Sequence, residues 1–193
     1  MSATITPIRT QPSPGQRGFS LIEVMISIVI VTVGLVSLLG VFGLAMSATQ
    51  SSDQNAIAKQ LANEALEGIL TARETATIPW ASIQNVGNGG IFLSGPQNID
   101  CAGVDGIIGT ADDAACGPQT LQLPGPDGIF GTADDVFLPL TYYKRTITIK
   151  EATGAGGQPI PELNVVTITV TYQNPQMKVP QNYTLNTYVS EYR

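Results

Sequence analysis

Six aspartates, set in two copies of one eleven-residue segment, are the side chains whose spacing most suggests chemistry. Gly103-Val104-Asp105-Gly106-Ile107-Ile108-Gly109-Thr110-Ala111-Asp112-Asp113 returns 22 residues later as Gly125-Pro126-Asp127-Gly128-Ile129-Phe130-Gly131-Thr132-Ala133-Asp134-Asp135, with nine of eleven positions identical. Each copy sets one Asp before a Gly and a pair of Asp seven and eight residues further on, so a chain reversal at Asp-Gly gathers three carboxylates. Two carboxylates about 5 Å apart at an effective dielectric near 20 repel by roughly 3 kcal/mol. The span from Glu74 to Tyr143 has no Lys or Arg to answer them. A bound cation is the simplest remedy. Calcium suits the set Asp105, Asp112, Asp113 and the set Asp127, Asp134, Asp135, because it takes roughly six to eight oxygens and accepts backbone carbonyls from glycine turns, whereas transition metals favour His or Cys. The copies are neither EF-hands, which place alternating acids before the glycine, nor glycine-rich nonapeptide calcium repeats. The competing reading is that Asp-Gly and Asp-Asp only build Asx turns with solvated side chains.

Little other reactive chemistry is on offer. The chain has no histidine, which removes Ser-His-Asp, Cys-His and His-metal arrangements, and no acid, base and nucleophile fall together, so no enzyme is expected. Nine Lys plus Arg against fifteen Asp plus Glu give a net charge of -6, which disfavours nucleic acid as a partner through counterion release. The two cysteines, Cys101 and Cys116, fit one disulfide made in an oxidising compartment and are too few for a zinc site. That bond would close a loop around the first copy of the repeat. The second copy has no such clamp.

One more carboxylate stands out by its surroundings. Glu23 lies at the start of an apolar stretch in which Val24 to Met46, 23 residues, carry no charge. As a helix at about 1.5 Å per residue that stretch spans roughly 35 Å, enough to cross the hydrocarbon core of a membrane. A charge there is expensive unless it finds a partner, and the natural partner of a carboxylate is an amine. Cleavage after Gly18 would create one on Phe19, one helical turn from Glu23 of the same chain or free to meet Glu23 of a neighbour.

The segment Gly18-Phe19-Ser20-Leu21-Ile22-Glu23, with Arg17 before it and the apolar run to Met46 after it, resembles the processing site of type IV prepilins and of the related pseudopilins of type II secretion. The resemblance implies that a membrane prepilin peptidase cuts after Gly18 and that Phe19 is then N-methylated. It also implies that Glu23 sets subunit register in a filament. An ordinary secretory signal fits less well, since its apolar region is shorter, about 7 to 15 residues, and ends in a small-x-small site. Residues 1–18, with Arg9 and Arg17, read as a basic leader kept in the cytoplasm. The stretches from Ile26 to Val36 and from Ala58 to Glu67 are further similar to minor pilins of the pilus-modification type.

The elements that must position these groups follow from periodicity. Beyond Met46 the apolar residues Ile57, Ala58, Leu61, Ala62, Ala65, Leu66 and Ile69 recur at three- and four-residue spacing, with Lys59, Gln60, Asn63, Glu64 and Glu67 between them, so one helix runs from Leu21 to about Arg73. Pro79 prevents any continuation. Residues 80 to 137, rich in Gly, Pro, Asn and Asp, read as an irregular loop. Alternation in Tyr142 to Lys150, Leu163 to Tyr172 and Tyr183 to Tyr192 marks three strands, joined by Gly- and Pro-rich connectors at Glu151 to Glu162 and Gln173 to Asn182.

The expected fold class is therefore α+β, a long helix packed on a small antiparallel sheet. Its segments are a leader at 1–18, a transmembrane or filament-core helix at 19–46, an amphipathic half at 47–76, and a head at 77–193 whose repeat loop covers 100–136. Heads of the resembled family usually close with a disulfide near the C-terminus, whereas here both cysteines lie mid-chain. The expected function is that of a structural subunit, and of a minor pilin before a major one, made in the bacterial inner membrane with its N-terminus cytoplasmic. From there it passes to an extracellular filament or a periplasmic pseudopilus. Its partners are other pilin subunits, the prepilin peptidase and methyltransferase, and the inner-membrane assembly machinery. Two alternatives stand beside it: a type II secretion pseudopilin, and a membrane-tethered calcium-dependent adhesin whose helix is only an anchor.

Overall fold

The computed structural model describes residues 18–173 and 179–192; the leader up to Arg17 lies outside them. Helix α1 runs unbroken over Leu21–Glu74. The carbonyl of Ser20 accepts the first helical bonds from the amides of Glu23 and Val24, at 3.0 and 3.2 Å. Glu23 thus sits in the first turn, where an acidic side chain suits the positive end of the helix dipole. At the other end Ala76 adopts φ 53°, the amide of Thr77 reaches back to the carbonyl of Ala72, and that of Ala76 to Arg73. This is a left-handed C-terminal cap built without glycine. The helix ends at Glu74, five positions before Pro79.

The chain divides into two compact units, Met1–Thr49 and Gln50–Arg193. In the first, the described part of α1 is apolar on every side and entirely exposed, and the helix is long and apolar enough to span a membrane. Each hydroxyl between Val24 and Met46 donates within its own helix: Ser27 to the carbonyl of Glu23 at 2.7 Å, Thr32 to that of Ile28, and Ser37 to that of Val33 at 2.8 Å.

In the second unit α1 is amphipathic, as the spacing requires. Ala58, Leu61, Ala62, Ala65, Ile69 and Ala72 are buried, and the run of alanines keeps that face of the helix flat and shallow. They share one core with Ile147, Ile149, Val166, Ile168, Val170 and Val189 of an antiparallel sheet. That sheet has the order β1-β4-β5-β6, where β1 is Gln97–Asn98, β4 Tyr143–Thr153, β5 Pro159–Tyr172 and β6 Gln181–Ser190. Pairs such as Ile147 with Ile168 and Ile149 with Val166 keep the apolar residues of β4 and β5 in register on one face. Two long strands reach further than the sequence suggests. β4 continues to Thr153 and β5 starts at Pro159, because a bulge between Glu151 and Ala152 absorbs the irregular stretch that reads as connector.

The segment from 80 to 137 is likewise less irregular than its composition implies. It contains two short 3₁₀ turns, the four-residue helix α2 (Asp113–Cys116), and a separate hairpin in which β2 (Thr120–Leu123) pairs with β3 (Val136–Pro139). Trp80 packs on the core and donates its indole N–H to the carbonyl of Pro161 at 3.0 Å.

Candidate functional site

Gly18, Phe19 and Glu23 all lie in the first unit and are exposed, with Gly18 and Phe19 in chain without regular secondary structure just before α1. A backbone cut after Gly18 needs an accessible, non-helical segment, and this one ends where Ser20 begins to accept helical bonds. Among the described residues nothing lies within 4 Å of a Cβ built on Gly18, so their packing does not call for glycine there.

The first repeat closes as the Asp-Gly reversal requires. Carboxylate oxygens of Asp105, Asp112 and Asp113 all lie within 4.8 Å of one another. Among the described residues, such a convergence of three acidic groups is found at this copy. The turn is held by the carboxylates themselves. Asp105 accepts from the amide of Ile107 at 2.8 Å, Asp112 from the amide of Asp105 at 3.1 Å and the hydroxyl of Thr110 at 2.6 Å, and Asp113 from the amides of Gly103 at 3.1 Å and Gly109 at 2.6 Å. These bonds spend part of each carboxylate's accepting capacity and leave further lone pairs free for a cation. Gly106 and Gly109 take φ of 70° and 95°, which a side chain would resist. The disulfide joins Cys101 to Cys116 across this copy, with Cα atoms 5.6 Å apart.

The second copy repeats the bonding pattern almost atom for atom. Asp127 accepts from the amide of Ile129 at 2.9 Å, Asp134 from the hydroxyl of Thr132 at 2.6 Å, and Asp135 from the amide of Gly131 at 2.7 Å; Gly128 and Gly131 have φ of 69° and 86°. Its setting differs. Residues 124–135 form the tip of the β2–β3 hairpin and are largely exposed.

That difference appears in the electrostatics. The Thr110 hydroxyl holds Asp112 below the usual carboxylate range, and Thr132 does the same for Asp134. Asp113 is pushed up, chiefly by burial, against the pull of the amides of Gly109 and Gly103. At its counterpart Asp135, burial also pushes upward, but hydrogen bonds from Gln122, Gly131 and Gly125 outweigh it and leave the group low.

The expectation of carboxylates without any countercharge is corrected at the first copy. Arg145, remote in sequence, is buried on the apolar face of β4 and acts electrostatically on both Asp113 and Asp100. Burial lowers its own pKa, while Glu64 on α1, 3.7 Å away, raises it; the guanidinium also donates to the carbonyl of Leu61 at 3.3 Å. The alternation of β4 already places Arg145 beside Ile147 and Ile149, so its burial was readable, but not which acids it would meet.

Two buried amides carried no sequence signal at all. Asn85 donates to the carbonyl of Ile147 at 2.9 Å and accepts from the amide of Ile149 at 2.7 Å, and Asn164 donates to the carbonyl of Ile83 at 3.0 Å. Both tie the segment after the helix to the sheet.

Residues 13–39 match the family described as the prokaryotic N-terminal methylation motif, a stretch that contains Gly18, Phe19 and Glu23. No curated protein and no solved structure matches the chain. With that motif at its N-terminus, and with a long helix packed on an antiparallel sheet behind it, the chain resembles the type IV prepilin and pilin-like proteins.

Proposed function

We propose that the protein is a structural subunit, of the minor kind, of a type IV pilus or pilus-like filament, cut after Gly18 and methylated on Phe19. The observation that carries this reading is the match of residues 13–39 to the methylation motif, at the head of a helix whose first 26 residues carry no charge apart from Glu23. An exposed apolar helix of this kind needs lipid before assembly and other helices after it. Glu23 supplies the one charge able to pair with the new amino group of a neighbouring chain. The N-terminus is taken to face the cytoplasm, as the two arginines of the leader support.

The head is further proposed to hold calcium in the repeat loops. The convergence of Asp105, Asp112 and Asp113 to within 4.8 Å supports an ion at the first copy. The field of Arg145 works against it there. The second copy, Asp127, Asp134 and Asp135, has the same donor set.

Mass spectrometry of the protein recovered from membranes tests the main reading. A mature chain beginning at N-methylated Phe19 is expected; a chain beginning at Met1, or cut at any other bond, overturns it. Recovery in sheared surface filaments separates a pilus subunit from a type II secretion pseudopilin, which stays with the cell.

A further inference from the structure

The β2–β3 hairpin carries more apolar surface than a two-stranded ribbon in water should. On β3, Val136, Phe137 and Leu138 follow one another at 49%, 58% and 42% exposure, so apolar side chains stand on both faces. An exposed run of this kind is either a liability or a working surface. Beside it lies a groove of about 670 Å³, within the range of ligand pockets. Its walls come from Ile57 of α1, Leu121 and Leu123 of β2, Leu138 of β3, and Tyr143 and Tyr172 of the larger sheet.

Chain connectivity says what lies next to this groove. The apolar run that is long enough to cross a bilayer ends at Met46, and Gln50, which lines the groove, follows it by only four residues. Four residues cover about 6 Å as helix and at most about 14 Å fully extended, while the headgroup layer on each side of a bilayer is roughly 5 to 8 Å deep. While the chain is anchored, Gln50 cannot leave the neighbourhood of the membrane surface. Tyr142, Tyr143 and Tyr172 in the lining suit that depth, where aromatic side chains with a polar end collect. The polar residues of the α1 wall define the head of the occupant. Asp53, which is exposed, is the one charged residue among the described residues of the lining, and Gln54 next to it keeps a buried Oε1 that accepts no hydrogen bond. A carboxylate and a spare acceptor favour a cationic donor and disfavour an anionic headgroup.

We propose that the groove seats the acyl chain of a phospholipid with an ammonium headgroup, taken from the bilayer in which the protein is anchored, with Asp53 facing the ammonium. The lipid gains an apolar wall and the groove loses its contact with water. This site rests on the membrane-anchored state that precedes assembly, and it is independent of calcium and of the kind of filament that follows.

The full-length chain reconstituted in vesicles of phosphatidylethanolamine, or of phosphatidylglycerol, provides the test, each vesicle doped with the same lipid bearing a photoreactive diazirine on its acyl chain. Label on the apolar half of α1 reports insertion, and label on segments 121–123 and 138–143 reports the groove. Both are expected in phosphatidylethanolamine, with weaker groove label in phosphatidylglycerol. Leu123→Asp with Leu138→Asp, at side chains 37% and 42% exposed, should cut groove label on the order of tenfold and leave α1 label unchanged, because a carboxylate is costly beside an acyl chain. Asp53→Asn should reduce the preference for the ethanolamine lipid about threefold, the scale of an exposed ion pair. Label on α1 with none on the groove overturns the proposal alone, whereas label on neither overturns the anchored state as well. Equal groove label from the two lipids also overturns it, and groove label lost as chain density in the vesicle rises would assign the groove to a second copy instead.

Discussion

On the proposed function Glu23 and Gly18 have separable duties, and single substitutions should part them. Gly18→Val puts a branched side chain at the cut, so unprocessed protein is expected to accumulate in the membrane; normal amounts of mature chain would refute the processing site. Glu23→Val leaves an apolar helix that still inserts and is still cut, but the amine of a neighbour then lacks its counter-charge in a dry setting, a loss that costs several kcal/mol per buried pair. Incorporation into filaments should drop steeply while the yield of mature chain stays constant. A third residue gives a purely physical readout. Burial, and to a lesser degree the neighbouring Tyr172, pushes the Tyr143 hydroxyl up to about 12. A free phenol ionises near 10, so folding keeps this proton longer than the unfolded chain does. The resulting stability is complete below about pH 10 and is lost as pH rises toward 12. Tyrosinate absorbance should show a step near pH 12, and Tyr143→Phe should remove it.

At the scale of elements, the long helix and the three long strands were legible because their periods of 3.6 and 2 are carried by residues that are in fact buried, from Ala58 to Ala72 and from Tyr143 to Val189. The hairpin β2–β3 was not. Thr120-Leu121-Gln122-Leu123 and Val136-Phe137-Leu138-Pro139 expose side chains on both faces, so no alternation marks them, and their pairing depends on a twelve-residue tip that reads as loop. The repeat was legible as a motif. Its two contexts were not, because the residues that bury the first copy, Phe92 and Ile147, lie outside it in sequence. Paired substitutions measure that difference. Gly131→Ala should cost only the left-handed backbone strain, about 1 to 2 kcal/mol. Gly109→Ala meets the same strain and also the side chain of Ile147, adding roughly 1 to 3 kcal/mol of overpacking. Chemical denaturation of the two variants should rank them in that order, and equal losses would show that the first copy is not seated in the core.

For the molecule as a whole, metal should act by mass action on the folded state. Calcium at a hundredfold excess over its dissociation constant stabilises by about 2.7 kcal/mol, so the chain in detergent should melt roughly 5 to 10 °C higher in calcium than in chelator. Magnesium should do little, since it holds its waters. Asp112→Asn together with Asp134→Asn should abolish most of the shift, at a modest cost to the metal-free protein, since each carboxylate accepts hydrogen bonds that hold its turn. Identical melting in all conditions would make the repeats turn-formers alone. The apolar half of α1 bears on a different question, that of moving between environments. Because Ser27, Thr32 and Ser37 spend their hydroxyl protons on carbonyls of their own helix, this surface asks nothing directional of whatever surrounds it. Lipid tails and the side chains of neighbouring helices are then nearly equivalent solvents for it. A change of surroundings need not break any of these three hydroxyl bonds, and Glu23 is the one charged group between Leu21 and Met46 whose own requirements such a change must meet.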